Sequence, residues 1–188
     1  MKLVFSKSIS KLNPSLPISG VQAYAAFMRQ SGRIAIYAWP AALILWIYLV
    51  FPDVGLSLGK SDAYELIAII PLLLLLIILH EFIHLIALPH KILHKETSLV
   101  VNVGGPILHW NLAIKFGGSL SRNQFIWSTL LPFMLLSAAP FLLAAFSSVK
   151  PPLAVGILAA ANVGLSVADI MQAALILTHV RSNQRFGA

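Results

Sequence analysis

Four long apolar segments constrain this chain more than any other feature of its sequence. They cover approximately residues 34–51, 66–89, 125–146 and 153–180, and a helix of roughly 20 residues is long enough to cross a bilayer. The composition agrees: 59% of the residues are hydrophobic and 10% are charged, whereas about a quarter of the residues in a soluble domain carry charge. Because lipid offers no partner to backbone polar groups, each span must be helical. We therefore predict an all-α membrane protein with four transmembrane helices.

Lysine and arginine residues are distributed unevenly between these spans. Eleven of the thirteen lie in residues 1–33, 90–124 and 181–188. The positive-inside rule therefore places both termini and the loop of residues 90–124 in the cytoplasm. We expect residues 1–33 to form a cytoplasmic segment with one short helix over residues 20–30, residues 34–180 to form one integral membrane domain, and residues 181–188 to form a cytoplasmic tail.

The net charge of +7 follows from this topology. No basic run with interleaved aromatic side chains is present in the sequence, so the charge does not predict nucleic-acid binding. We expect an integral protein of a prokaryotic cytoplasmic membrane.

The second span contains ionisable residues near its cytoplasmic end, in the sequence "HEFIH". Residues four apart lie on the same face of a helix, so His80 and His84 can both bind one ion. Glu81 lies about 100° further round the helix, off the ion and close to its water. HExxH zinc hydrolases use this arrangement, in which the glutamate takes a proton from the water and gives it to the leaving amine. The chain has no cysteine, so any metal must be held by His, Asp, Glu or Asn.

A catalytic zinc needs a third protein ligand, and Asp169 is the first candidate. It is the only acidic residue of the chain downstream of Glu96, and it lies inside the fourth span. Asn162, Ser166 and Asp169 are four and three residues apart, so they form one polar stripe that can face the second helix. Within this stripe, Asn162 is a candidate for holding a ligand in place or for contacting a substrate carbonyl.

His90 is the alternative third ligand. It follows His84 by six residues, which is the spacing of HExxHxxGxxH zincins, where a glycine lets the chain turn back to the metal. Ala87 occupies the position of that glycine, and alanine resists the backbone conformation that glycine accepts. We favour Asp169 and keep His90 open.

The loop of residues 90–124 contains short β-type runs separated by Gly-Gly-Pro and Gly-Gly, in "TSLVVNVGGPILHWNLAIKFGGSLS". This pattern predicts a small β-hairpin at the cytoplasmic membrane surface. An edge strand there can hold a peptide extended beside the metal. Equally, the loop can be a packed cap that shields the site.

Three stretches together resemble the DUF3267 family of membrane zincin peptidases: "HEFIH", "GGSLSRNQFIWSTLLPFMLL" and "NVGLSVADIMQAALIL", all within residues 65–186. The resemblance implies that His80, His84 and Asp169 bind zinc and that Glu81 is the general base and acid. The family is distantly similar to the site-2 intramembrane metalloproteases. This chain departs from their pattern because it reads "VADIM" in place of an LDG motif and has no insertion of PDZ size. Neither departure removes a ligand, but both weaken any carry-over of substrate recognition.

We predict a zinc metalloprotease that hydrolyses peptide bonds in or near the cytoplasmic half of the bilayer. Its partners are then lipid and a membrane-associated protein or peptide substrate. One alternative is a metal-binding membrane protein without hydrolytic activity, such as a transporter or sensor. That alternative predicts polar residues along the first and third spans, which offer only Ser128, Thr129 and Ser137. Another is a scaffold without metal, in which the polar groups join helices.

Overall fold

The computed structural model describes residues 2–6, 21–51, 60–88, 98–102, 111–115, 120–148, 151–181 and 185–186. Over these residues the chain is mostly helical. Its elements, in chain order, are β1 (Lys2–Ser6), α1 (Val21–Val50), α2 (Lys60–Ala87), β2 (Ser98–Asn102), β3 (Asn111–Lys115), β4 (Leu120–Ser121), α3 (Arg122–Phe133), a π turn (Met134–Ala138), α4 (Ala139–Phe146), α5 (Leu153–His179) and β5 (Arg185–Phe186).

Four helical stretches of the described residues are long and apolar enough to cross a membrane. They are Arg29–Val50 in α1, Ile69–Ala87 in α2, Arg122–Phe146 over α3 and α4, and Leu153–His179 in α5. The predicted set of four spanning helices is confirmed to this extent. Such helices are typical of a membrane protein.

The helix α1 is one element where the sequence predicted two. The short helix expected over residues 20–30 is the first part of α1, which continues unbroken to Val50. Gly32 lies at the join, and a glycine inside a helix costs only about 1 kcal/mol relative to alanine. That cost is too small to end a helix whose following residues are strongly apolar.

Two small sheets accompany the helices. In the first, β1 pairs in parallel with β2, and β2 pairs antiparallel with β3. The strand β1 was not predicted from the sequence. Its partner β2 is distant in the chain, and such a long-range pairing leaves no local sequence pattern. Residues 103–110, between β2 and β3, lie outside the described residues, so the predicted hairpin and its cytoplasmic placement stay predictions.

The start of α3 is held beside the end of α5. Ser121 and Gln124 form a capping box, in which the Ser121 hydroxyl accepts from the Gln124 N–H at 3.3 Å and the Gln124 side chain accepts from the Ser121 N–H at 3.0 Å. The guanidinium of Arg122 donates to the Val180 carbonyl at 3.0 Å. The second sheet, β4 with β5, joins the same two regions. The first turns of α3 and the last turns of α5 therefore lie at one end of the bundle.

The helix α2 has a buried face and an exposed apolar face. Leu74, Ile78 and Phe82 are four residues apart and are 62%, 60% and 48% exposed, which suits contact with lipid. The residues that point inwards also recur at helical spacing. They are Ile69, Leu76, His80 and Ile83, and Leu85 is buried as well.

Small residues of α5 let α1 approach closely, as is common between membrane helices. Gly156 lies directly against the indole of Trp46, which is fully buried. Two turns along, a Cβ at Gly164 would lie 3.2 Å from the Cβ of Trp39. The Trp46 ring packs edge-on against Phe141, with ring centroids 5.3 Å apart. This contact fixes α1, α4 and α5 relative to one another.

The third span changes pitch at the π turn Met134–Ala138. A π turn takes one residue more than an α-helical turn. Ser137 follows Pro132 by five residues, and both are fully buried, although an α-helix would repeat a face after three or four residues. The Ser137 hydroxyl donates to the Ala159 carbonyl of α5 at 2.9 Å. The π turn thus aims a polar side chain at α5.

Replacing Gly156 with alanine is expected to destabilise the fold. The added methyl group would overlap the Trp46 indole, and overpacking of this kind costs about 1–3 kcal/mol. Reversible unfolding in detergent micelles measures the free energy of unfolding. Gly32→Ala is the matched control, because no described atom lies within 4 Å of a Cβ built there. Equal losses of stability in the two variants would contradict the packing of α1 on α5.

Candidate metal centre

Three side chains from two helices converge at one point. His80 and His84 are one turn apart on α2, and Asp169 faces them from α5. The Nε2 atom of His80 lies 3.0 Å from Oδ2 of Asp169, and Nε2 of His84 lies 3.4 Å from the same oxygen. The two Nε2 atoms are 3.1 Å apart. Two ring nitrogens and one carboxylate oxygen therefore form a small triangle.

The triangle has the dimensions that a tetrahedral metal ion requires. Zn²⁺ binds imidazole nitrogen and carboxylate oxygen at roughly 2.0–2.2 Å, so ligand atoms of a tetrahedral site lie about 3.3–3.6 Å apart. The observed separations of 3.0–3.4 Å lie within a few tenths of an ångström of that range. Three protein ligands also leave the fourth position open, as in catalytic zinc sites. His80, His84 and Asp169 can therefore hold a metal ion.

Asn162 fixes the orientation of His80. Its side-chain oxygen accepts from Nδ1 of His80 at 2.7 Å, while its side-chain nitrogen donates to the Ser137 hydroxyl at 2.8 Å and to the Pro132 carbonyl at 3.3 Å. The carbonyl can only accept, so the amide nitrogen must face it and the amide oxygen must face His80. His80 therefore carries its proton on Nδ1 and presents the lone pair of Nε2 to the centre.

A backbone group fixes the orientation of His84 in the same way. The Nδ1 atom of His84 donates to the Ser128 carbonyl of α3 at 2.8 Å. With both Nδ1 atoms protonated, two Nε2 lone pairs and a carboxylate oxygen of Asp169 face one another. Three electron-pair donors at this distance repel each other unless a cation lies between them. The chemistry of the donor set thus fits a bound metal ion.

The centre is largely buried without being closed. The side chain of His80 is 6% exposed, that of His84 17% and that of Asp169 19%. Glu81 is partly buried on α2, one residue after His80 and outside the triangle. Within the described residues, no hydrogen bond engages its carboxylate. The Glu81 carboxylate is therefore available to exchange a proton beside these three candidate ligands.

The other histidines of the chain have different positions. The alternative ligand His90 lies outside the described residues, as do His94 and His109. His179 is exposed at the end of α5, where its Nδ1 lies 3.0 Å from the Leu175 carbonyl. His179 is thus not brought to the centre.

Sequence reasoning missed two contacts that orient the ligands, the Ser128 carbonyl and the Ser137 hydroxyl. In the sequence, both serines are only scattered polar residues of the third span. A signal for the first contact is Pro132, four residues later, because proline has no N–H to occupy the Ser128 carbonyl. We found no sequence signal for the second, since the position of Ser137 depends on the π turn.

Comparison with protein-family models gives a match over residues 73–184 to DUF3267, described as "Putative zincin peptidase". No curated protein and no solved structure matches the chain. The matched residues include the HEFIH sequence of α2 and Asp169 of α5, and they make up more than half of the 188 residues. The chain therefore belongs to the DUF3267 family.

Proposed function

We propose that this protein is a membrane-embedded zinc metalloprotease of the HExxH type, acting in or near the cytoplasmic half of the bilayer. The observation that carries the proposal is the triangle of ligand atoms from His80, His84 and Asp169. Membership of a zincin peptidase family supports peptide hydrolysis as the reaction. The four apolar helices support the membrane setting.

Formal charge at the centre supports a divalent cation. Asp169 and Glu81 contribute two negative charges when ionised, and the two imidazoles are neutral when they act as ligands. A single Zn²⁺ balances these charges. A carboxylate in the middle of a membrane helix costs about 2.5–3.5 kcal/mol on insertion scales. A bound cation would offset this insertion free energy.

Each residue of the centre has a distinct part in the proposed hydrolysis. A zinc ion held by His80, His84 and Asp169 supplies Lewis-acid activation of water and of the peptide carbonyl. The Glu81 carboxylate takes the proton from the attacking water and passes it to the amine nitrogen as the carbon–nitrogen bond breaks. The contacts of Asn162 support the first of its two predicted roles, because its amide group is engaged by His80 and by α3 and is not free for a substrate carbonyl.

We infer a membrane-associated protein or peptide as the substrate. Among the described strands of the first sheet, in the order β1-β2-β3, β1 and β3 are the outer ones. A peptide held extended along the edge of β3 would gain main-chain hydrogen bonds whatever its side chains. The distribution of basic residues supports a cytoplasmic position for this sheet and for both termini.

A metal transporter or sensor would need a polar path through the bundle. The hydroxyls of Ser128 and Thr129 donate to the Phe125 carbonyl of their own helix, and that of Ser137 donates to α5. These groups are engaged in helix contacts, which favours the protease over a transporter.

Purified protein is expected to contain about one zinc ion per chain. The variants His80→Ala and Asp169→Ala are expected to lose this ion, because each keeps only two of the three protein ligands. Elemental analysis after passage through a mild chelator measures the metal content. His179→Ala is the control, since this histidine lies away from the centre. Full zinc retention by Asp169→Ala would exclude this residue as a ligand. His90 would then be the candidate third ligand.

Glu81→Gln is expected to keep the zinc and to lower peptide hydrolysis by about 10²–10⁴-fold, because glutamine cannot accept the proton. The rate is measured in proteoliposomes with a library of quenched fluorescent peptides attached to a membrane anchor. Glu65→Gln, near the other end of α2, is the matched control and should keep the wild-type rate. If Glu81→Gln hydrolysed peptides as fast as wild type, the assigned role of this residue would be wrong.

Asn162→Leu is expected to lower zinc affinity by about 10–100-fold, the usual effect of removing a group that orients a metal ligand. The change removes the acceptor of the His80 Nδ1 proton. Competition with a fluorescent chelator measures the affinity. Ser166→Ala is the matched control. Ser166 is equally buried, but its hydroxyl lies 3.4 Å from the side-chain nitrogen of Asn162, whereas the side-chain oxygen of Asn162 is the atom that contacts His80. Equal affinities in the two variants would contradict the assigned role of Asn162.

A further inference from the structure

Pro132 lies inside the third span at a position where a proline removes a helical hydrogen bond. In an α-helix, the N–H of residue 132 would donate to the carbonyl of residue 128. Proline has no N–H, and its ring pushes the carbonyl four residues earlier out of line. The Ser128 carbonyl is therefore released from the α3 ladder. This is the carbonyl that accepts from Nδ1 of His84 at 2.8 Å.

The carbonyl of Pro132 itself acts on the other histidine. It accepts from the side-chain nitrogen of Asn162 at 3.3 Å. That contact determines which end of the Asn162 amide faces His80, because a carbonyl cannot donate. Pro132 is fully buried between these groups. One residue of α3 thus bears on the orientation of both imidazoles, although its own side chain has no hydrogen-bonding group.

We propose that Pro132 is a positioning residue of the metal centre: by lacking an N–H, it leaves the Ser128 carbonyl free to hold His84 with its proton on Nδ1. The lone pair of His84 Nε2 then points at the ligand triangle. This inference rests on the proposed function for its effect on metal binding. Its effect on the tautomer of His84 does not depend on a metal.

Pro132→Ala tests this inference, because alanine restores the N–H that claims the Ser128 carbonyl. In metal-free protein with ¹⁵N-labelled histidine, recorded at a pH at which the imidazoles are neutral, the ring nitrogen shifts of wild-type His84 are expected to show the Nδ1–H tautomer. In Pro132→Ala they are expected to show a mixture of both tautomers. Zinc affinity, measured by chelator competition, is expected to fall by about 10–100-fold.

Two further variants separate the missing N–H from other effects. Pro132→Val also restores the N–H but keeps a side chain close in size to proline. It should behave like Pro132→Ala if the restored N–H is what changes the tautomer of His84. Pro71→Ala is the matched control, because Pro71 also lies inside a helix, on α2 before the histidines. It should leave the tautomer of His84 and the zinc affinity unchanged.

The outcomes distinguish this inference from the proposed function. An unchanged Nδ1–H tautomer of His84 in both Pro132 variants would overturn the role of Pro132, even if wild-type protein binds zinc and cleaves peptides. Failure of wild-type protein to bind zinc would overturn the proposed function. In that case a tautomer mixture in both variants would still support Pro132 as the residue that orients His84.

Discussion

The structure depends on one constraint, which is that polar groups inside a bundle of membrane helices must find their partners within the protein. Two imidazoles, a carboxylate and a carboxamide lie between α2, α3 and α5, and the Nδ1 contact of each imidazole has a defined direction. Asn162 receives the proton of His80, and the Ser128 carbonyl receives that of His84. What remains unmatched is a set of three lone-pair donors at one point. A metal ion would complete that set, so the demand for polar satisfaction and the proposed chemistry have the same physical origin.

Close helix packing makes this convergence geometrically feasible. The small residues of α5 accept the rings of Trp39 and Trp46 from α1, and the opposite side of α5 carries the polar stripe. The π turn of the third span adds the hydroxyl of Ser137 at the level of Asn162. Substitutions far from the histidines can therefore alter the centre through the position of α5.

Much of this arrangement follows from the sequence. Lengths of apolar segments gave the four helices, and the HEFIH spacing put two imidazoles on one face of α2. Asp169 is conspicuous because it is the only acidic residue of the chain downstream of Glu96. Other features depend on contacts that leave no local pattern. The strand β1 has a partner far along the chain, and the π turn arises inside a mostly apolar span without a break in its helical pattern. The role of the Ser128 carbonyl belongs to the backbone, so no side-chain motif could reveal it, although Pro132 marks the place.

The central claim is that two histidine Nε2 atoms and one carboxylate oxygen of Asp169 bind a zinc ion. X-ray absorption spectroscopy of the zinc-loaded protein in detergent tests it most directly. The account predicts four nitrogen or oxygen neighbours at roughly 2.0–2.1 Å, with scattering from two imidazole rings. A spectrum with scattering from three imidazole rings would show that a third histidine binds the zinc in place of Asp169. A spectrum with no imidazole scattering would contradict the account altogether.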